Sequence, residues 1–287
     1  MAYDIFSYVD NPDFSFPFNI IKDTLNGDYP EHQHDSIEMS FVLDGEATHI
    51  VGRNVKKVGR GEVIIILYPL SHARVDMRNY TRYTLRFDLE KLILLDDELK
   101  HYPGFHSLFF IEPTYLYDKN YMGGFTLSEE QLEYSINMLN IMYDAFNSRY
   151  NGYKTLIKTH LVALMTYISY CYIPALESLP NKLYKISETV SHIERNYSKK
   201  ISVKELAAIA YLSERQYNRI FTSIYGISPS VHLMKVRLNK ACRFLADKDL
   251  PTRYISDVCG FFDVSHFTKQ FKQHFHMTPG EYRKKLL

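Results

Sequence analysis

The chain has 287 residues, enough for one large or two ordinary domains. Its 46% hydrophobic, 15% aromatic and 23% charged content suits a folded globular protein and excludes a disordered or fibrous one. The 34 Lys and Arg against 33 Asp and Glu leave a net charge of +1, which excludes a uniformly basic or acidic chain but conceals a division. Residues 181–287 carry 19 basic and 9 acidic groups, net +10, whereas residues 1–180 carry 15 and 24, net −9. Such asymmetry gives the basic part an electrostatic task, commonly the binding of a polyanion.

From about residue 18 to 90 the pattern reads as short strands separated by turns. Ser40 to Leu43 precedes Asp44-Gly45, Thr48 to Val51 precedes Gly52-Arg53-Asn54, and Val63 to Leu67 precedes Tyr68-Pro69, which predicts a small β-sandwich or barrel. At Ser128 the period changes. Ser-Glu-Glu-Gln has capping-box form, and Leu132, Ile136, Leu139, Met142 and Phe146 recur at helical spacing to about Ser148. A second helix follows Asn151-Gly152, carries Leu156, Leu161, Leu164, Met165 and Ile168, and ends before Pro174. This hairpin is either a lid on the β-domain or, through a surplus apolar face, the contact with a second copy of the chain. The expected organisation is therefore a β-domain over 1–127, a helical hairpin over 128–173, a linker over 174–180 and a helical domain over 181–287. Cys171, Cys242 and Cys259 are too scattered for a disulfide framework or a zinc site, which suits a reducing compartment. The amino terminus lacks the pattern of a signal peptide, and the apolar run Leu161 to Ile173 is too short for a bilayer. A cytoplasmic address, no membrane partner and no cofactor are expected.

The basic part repeats one arrangement: short helix, tight turn, second helix. In the first copy Val203 to Ala210 is followed by Tyr211-Leu212-Ser213, and Ser213 caps a helix to Tyr225 with Tyr217, Ile220, Phe221 and Ile224 inward. In the second, Thr252 to Cys259 carries Ile255, Val258 and Cys259. Gly260 then turns the chain, and a helix from about Val264 to His274 buries Phe267, Phe271 and Phe275. Pro229 opens a long helix between them, reaching about Asp247, with Val231, Met234, Leu238, Ala241, Cys242 and Leu245 on one stripe. About 19 residues at 1.5 Å each give roughly 28 Å. That length approaches the ~34 Å repeat of the major groove of B-DNA, so one strut can set two reading helices on adjacent turns.

The stretches Ile201-Ser-Val-Lys-Glu-Leu-Ala-Ala, Leu212-Ser-Glu-Arg-Gln-Tyr-Asn-Arg-Ile-Phe, Gly226-Ile-Ser-Pro, Arg237-Leu-Asn-Lys-Ala, Gly260-Phe-Phe-Asp-Val-Ser-His-Phe and Thr278-Pro-Gly-Glu-Tyr-Arg resemble, in order and spacing, the DNA-binding domain of the AraC/XylS family of bacterial transcription regulators. The resemblance covers roughly the last 100 residues. Tyr211 stands where glycine is usual, Lys269 where arginine is common, and His276 where glycine often precedes Thr-Pro. Membership implies a regulator rather than an enzyme, double-stranded promoter or operator DNA as partner, a homodimer, and RNA polymerase as a further partner. Helical phase then selects the reading side chains. Arg215, Asn218, Arg219 and Thr222 lie opposite Tyr217 and Phe221, and Arg and Asn suit guanine and adenine edges. Ser265, His266, Thr268 and Lys269 escape the Phe267/Phe271 stripe and suit phosphates better than bases. The alternative for each is a solvated surface group.

Outside this domain the strongest constellation is His32-Gln-His34, then Glu38 and Gly45, and later Pro69 and His72. It resembles the metal motif of cupin barrels, which implies an α+β multidomain chain with a cupin-like β-barrel plus hairpin, followed by an all-α domain with two helix-turn-helix motifs. His32, His34, Glu38 and His72 are then either metal ligands, in an isomerase or dioxygenase, or the polar lining of a sensor pocket. The second reading is preferred, with His32, His34, Glu38, Arg53, His72 and Arg74 hydrogen-bonding a small-molecule effector. The stretch His32 to Tyr172 looks like the sugar-responsive regulators, the rhamnose-responsive branch in particular, which implies a sugar as effector.

Overall fold

The computed structural model describes residues 4–6, 16–68, 70–93, 98–111, 124–176 and 181–286. It divides into two compact units, Met1–Tyr184 and Lys185–Leu287. Pro69 and linker residues 177–180 lie outside the described residues.

The first unit is mixed sheet and helix. Its strands are β1 (Asp4–Phe6), β2 (Phe18–His34), β3 (Ile37–Val51), β4 (Asn54–Gly59), β5 (Glu62–Ile66), β6 (His72–Phe87) and β7 (Gly124–Thr126). They pair in the order β1-β2-β6-β3-β5-β7, with β4 beside β3. The sheet is open, where the sequence reading expects a closed barrel or sandwich. The expected turn at Asp44-Gly45 is absent as well. β3 continues through it with a register shift, Gly45 taking φ +76° against the Asn79 carbonyl, so the glycine serves a bulge and the strand bends without stopping. Similar shifts interrupt β2 between Leu25 and His32. The Gly52-Arg53 turn does form, closing β3 on β4 with Val51 opposite Asn54.

Strand alternation sorts the side chains onto two faces. Phe18, Ile20, Met39, Phe41, Leu85 and Phe87 share one core with Leu139, Met142, Leu161, Leu164 and Ile168 of the hairpin, each contributing roughly 1.5–3 kcal/mol by burial. Val42, Val51, Ile64, Ile66, Met77 and Tyr80 form a second core.

The helices of this unit are α1 (Leu89–Ile93), α2 (Pro103–His106, running into a π-helical turn over Ser107–Ile111), α3 (Glu129–Ser148) and α4 (Tyr153–Leu176). The capping box of α3 forms in both directions: the Gln131 amide donates to Ser128 Oγ at 3.3 Å, and the Ser128 amide to Gln131 Oε1 at 2.9 Å. Arg60 pairs with Glu129 and joins the helix start to the β4–β5 turn. The hairpin packs on the sheet as a lid. α4 runs through Pro174 to Leu176 instead of ending before it, the proline removing one backbone donor near the helix end.

The second unit is built from α5 (Asn181–Asn196) from Lys185 onward, α6 (Val203–Ile209), α7 (Glu214–Tyr225), α8 (Pro229–Leu245), α9 (Thr252–Val258), α10 (Val264–Phe275) and α11 (Pro279–Leu286). The long helix α8 corrects the single-stripe expectation. Val231 is exposed, while Leu233, Val236 and Lys240 are buried on one side and Leu238, Ala241 and Leu245 pack with Ile255, Cys259, Phe267 and Phe271 on another. A helix shared by two small cores needs two buried faces, so no single stripe describes it. Among the described residues no helix is long and apolar enough to cross a membrane.

Candidate nucleic-acid interface and buried polar cluster

Each half of the second unit presents a short helix, a tight turn and a capped, longer helix. Ser213 accepts from the Gln216 amide and caps α7, and Asp263 accepts from the His266 amide at 2.6 Å and caps α10. In the first turn Tyr211 takes φ +53°, and in the second Gly260 takes φ +77°. The next amides, Leu212 and Phe261, close the turns onto Ala207 and Ser256 at 2.9 and 3.0 Å. The two turns are therefore equivalent, and Tyr211 holds a left-handed position that its counterpart fills with glycine.

Tyr217, Phe221 and Ile224 anchor α7, Tyr217 also donating its hydroxyl proton to Thr189 Oγ1 at 2.9 Å. Phe267 and Phe271 anchor α10. This fixes what faces water. Arg215, Arg219 and Thr222 are exposed on α7, and Ser265 and Lys269 on α10. Three expected readers are less available. Asn218 is half-buried and donates from Nδ2 to the Glu214 carbonyl at 3.0 Å, His266 lies edge-on to Phe261 with centroids 5.8 Å apart, and Thr268 is half-buried. One exposed group escaped the sequence reading: Phe262, 92% exposed, immediately before the Asp263 cap. The second turn is one residue longer than the first, and that extra length is the signal that could have shown it.

In the first unit the sheet register assembles the histidine constellation. His32 and Val51 both lie opposite His72, His49 opposite Arg74, and Glu38 opposite Arg86. His32, His34, Glu38 and His72 are at most 2% exposed. Glu38 is the hub: its Oε2 lies 2.8 Å from His34 Nε2 and accepts from Arg86 Nε at 3.2 Å, and its Oε1 accepts from Arg74 Nη2 at 2.7 Å and Ser40 Oγ at 3.3 Å. Arg82 stands 4.0 Å from Glu38 Oε1 and pairs with Asp23 at 3.1 Å. Burial opposes the Glu38 charge, but Arg74 and the His34 contact outweigh it and hold the carboxyl well below its usual range. Burial drives His32 down to about 4, and His49 and His72 well below 6.5.

Arg53 does not join this group, lying exposed in the β3–β4 turn. His34, Glu38, His72 and Arg74 are sealed and engaged with neighbours, so they do not line an open pocket. His49, Arg82 and Arg86 belong to the buried group and were missed; the alternation Arg82-Tyr83-Thr84-Leu85-Arg86-Phe87 was the available signal. A separate cavity of about 160 Å³ is lined by Glu46, Ala47, Thr48, Lys57, Asp76 and Arg78.

A family model described as a helix-turn-helix domain matches residues 206–285. The chain is 33% identical over 93 residues to the probable transcriptional regulator LumQ of Photobacterium leiognathi, covering 32% of this chain and 38% of that one. Similarity extends along 89% of this chain, at 23% identity, to 87% of the transcriptional activator RhaS of Klebsiella pneumoniae. A solved AraC-type transcriptional regulator from Chromobacterium violaceum is 32% identical over 36% of this chain and 91% of its own, with a TM-score of 0.34. The chain thus spans well under two thirds of LumQ. With six motif stretches in order and a helix-turn-helix domain matched over residues 206–285, the C-terminal part of the chain is an AraC-type helix-turn-helix domain.

Proposed function

We propose that the chain binds promoter or operator DNA sequence-specifically through two helix-turn-helix motifs, α6–α7 and α9–α10, and that a small-molecule effector taken up by the first unit sets its occupancy. The observation that carries this reading is the paired presentation of capped helices with Arg215, Arg219 and Thr222 outward on one and Ser265 and Lys269 outward on the other, in a region of net charge +10. Arg215 and Arg219 have the planar fork that reads guanine edges. Asn218 joins them by giving up its bond to Glu214, and His266, Thr268 and Lys269 serve the phosphates. α8, 17 residues long and hence about 26 Å, separates the two motifs by nearly one turn of the groove.

The effector in this reading is a sugar. Because the histidine cluster is sealed, the 160 Å³ cavity bordered by Glu46, Thr48, Lys57, Asp76 and Arg78 is the better place for a hydroxyl-rich ring. The regulator works in the cytoplasm as a homodimer, through the outward hairpin residues Tyr134, Ile141 and Tyr170, 53%, 42% and 66% exposed, and recruits or obstructs RNA polymerase without catalysing a reaction. Mobility-shift titration against DNA upstream of the chain's own gene tests the DNA reading. A specific complex that weakens with salt supports it, and equal affinity for every fragment overturns it.

A further inference from the structure

The cluster closed to a sugar is well shaped for a single ion. We propose that His32, His34, His72 and Glu38 form a mononuclear site for a divalent transition metal in the first unit. One ligand atom from each of the four lies within 4.8 Å of every other. An ion with bonds of about 2.1 Å places adjacent donors about 3.0 Å and opposite donors about 4.2 Å apart. His32 Nε2 and His72 Nε2 are 2.9 Å apart, and His72 Nε2 is 3.7 Å from Glu38 Oε1.

The rings agree with the donor atoms. Imidazole centroids about 3.2 Å from a shared ion stand about 4.5 Å apart at right angles and about 5.2 Å apart at tetrahedral angles. The three observed separations are 4.3, 4.8 and 5.2 Å. The outer contacts also suit a metal site. His32 Nδ1 donates to the Pro30 carbonyl at 2.8 Å, which leaves the Nε2 lone pair facing the cluster, as backbone carbonyls do for ligating histidines. Arg74 and Ser40 occupy Oε1 of Glu38 and Arg86 one side of Oε2, which leaves a lone pair on Oε2 for an ion. The positive charge of the two arginines weakens a dication's attraction to the site, so the three imidazoles supply most of the affinity. Three nitrogens and one oxygen select nickel, cobalt, iron, copper or zinc over magnesium and calcium. The proposal is independent of the DNA reading, because it is read from the metal and not from promoter occupancy.

The test is titration of the full-length chain, stripped with chelator, with Co²⁺ while visible d–d absorption is recorded. Saturation at one Co²⁺ per chain is expected, with loss of more than about 100-fold in affinity in His34→Gln and His72→Gln. His49→Gln, behind His72 with ring centroids 5.5 Å apart and outside the four donors, retains binding. Should the ligand variants fail to fold, proton NMR of the wild-type Co²⁺ complex decides instead: three hyperfine-shifted, exchangeable imidazole N–H signals support the site. Absence of one-to-one uptake by the folded wild-type chain, or uptake unchanged in folded His34→Gln and His72→Gln, overturns it.

Discussion

Replacing Gly260 by alanine tests the equivalence of the two turns. At φ +77° an alanine takes a left-handed conformation that costs roughly 1–2 kcal/mol. Its Cβ would also lie 2.5 Å from the Ser198 carbonyl oxygen and 2.8 Å from its carbon. Both are backbone atoms that cannot rotate away, and relieving such a clash adds roughly 1–3 kcal/mol. The smaller entropy of the unfolded alanine chain returns about 0.4–1 kcal/mol, leaving a net loss of roughly 2–4 kcal/mol. For a unit of this size, that lowers the melting temperature by roughly 10–20 °C. Tyr211→Gly is the counterpart: it relieves the left-handed strain but loses the Lys185 ammonium over the Tyr211 ring at 5.6 Å, worth roughly 0.5–1 kcal/mol when exposed. The two effects nearly cancel. Urea unfolding followed by circular dichroism measures both variants. A Gly260→Ala loss below about 1 kcal/mol, or a Tyr211→Gly loss as large as that of Gly260→Ala, refutes the argument.

Phe221→Ala, which empties the centre of the first motif, is expected to cost roughly 3–5 kcal/mol in urea unfolding; an unchanged midpoint contradicts the core assignment. Tyr217→Phe removes only the bond to Thr189 and should cost about 1 kcal/mol by the same measurement. Acidification should weaken the first unit in chelator-treated protein. The folded state keeps His32, His49 and His72 neutral, whereas the unfolded chain protonates them below about 6.5. Their contribution is complete above that pH and is lost as pH falls towards about 4, and loss of the Glu38 charge acts in the same direction. Urea midpoints equal at pH 7 and pH 5 would contradict the burial of neutral imidazoles.

What the sequence made legible was local. The capping box at Ser128, the cap at Ser213 and the Tyr217/Phe221 stripe are read from neighbours three or four residues apart, and the same short-range interactions shape them in the fold. What stayed hidden depended on distant pairing. Gly45 reads as a turn until β6 is known to lie beside it, and His49, Arg82 and Arg86 join Glu38 only through the β3–β6 register. A single apolar stripe on α8 predicts Val231 buried, but the helix has two buried faces and Val231 lies on neither. Helical phase puts Asn218 outward, whereas in the fold it is half-buried and its short amide turns back onto its own helix.

The central claim, that α7 reads bases, is tested most directly by fluorescence anisotropy with wild-type and Arg219→Ala chains on an upstream operator fragment and on a scrambled one. Both chains are measured across a range of salt concentrations. The account predicts that Arg219→Ala loses roughly 1–3 kcal/mol on the operator, with a far smaller loss on scrambled DNA. Equal losses on both fragments would make Arg219 a phosphate contact and contradict base reading by this helix.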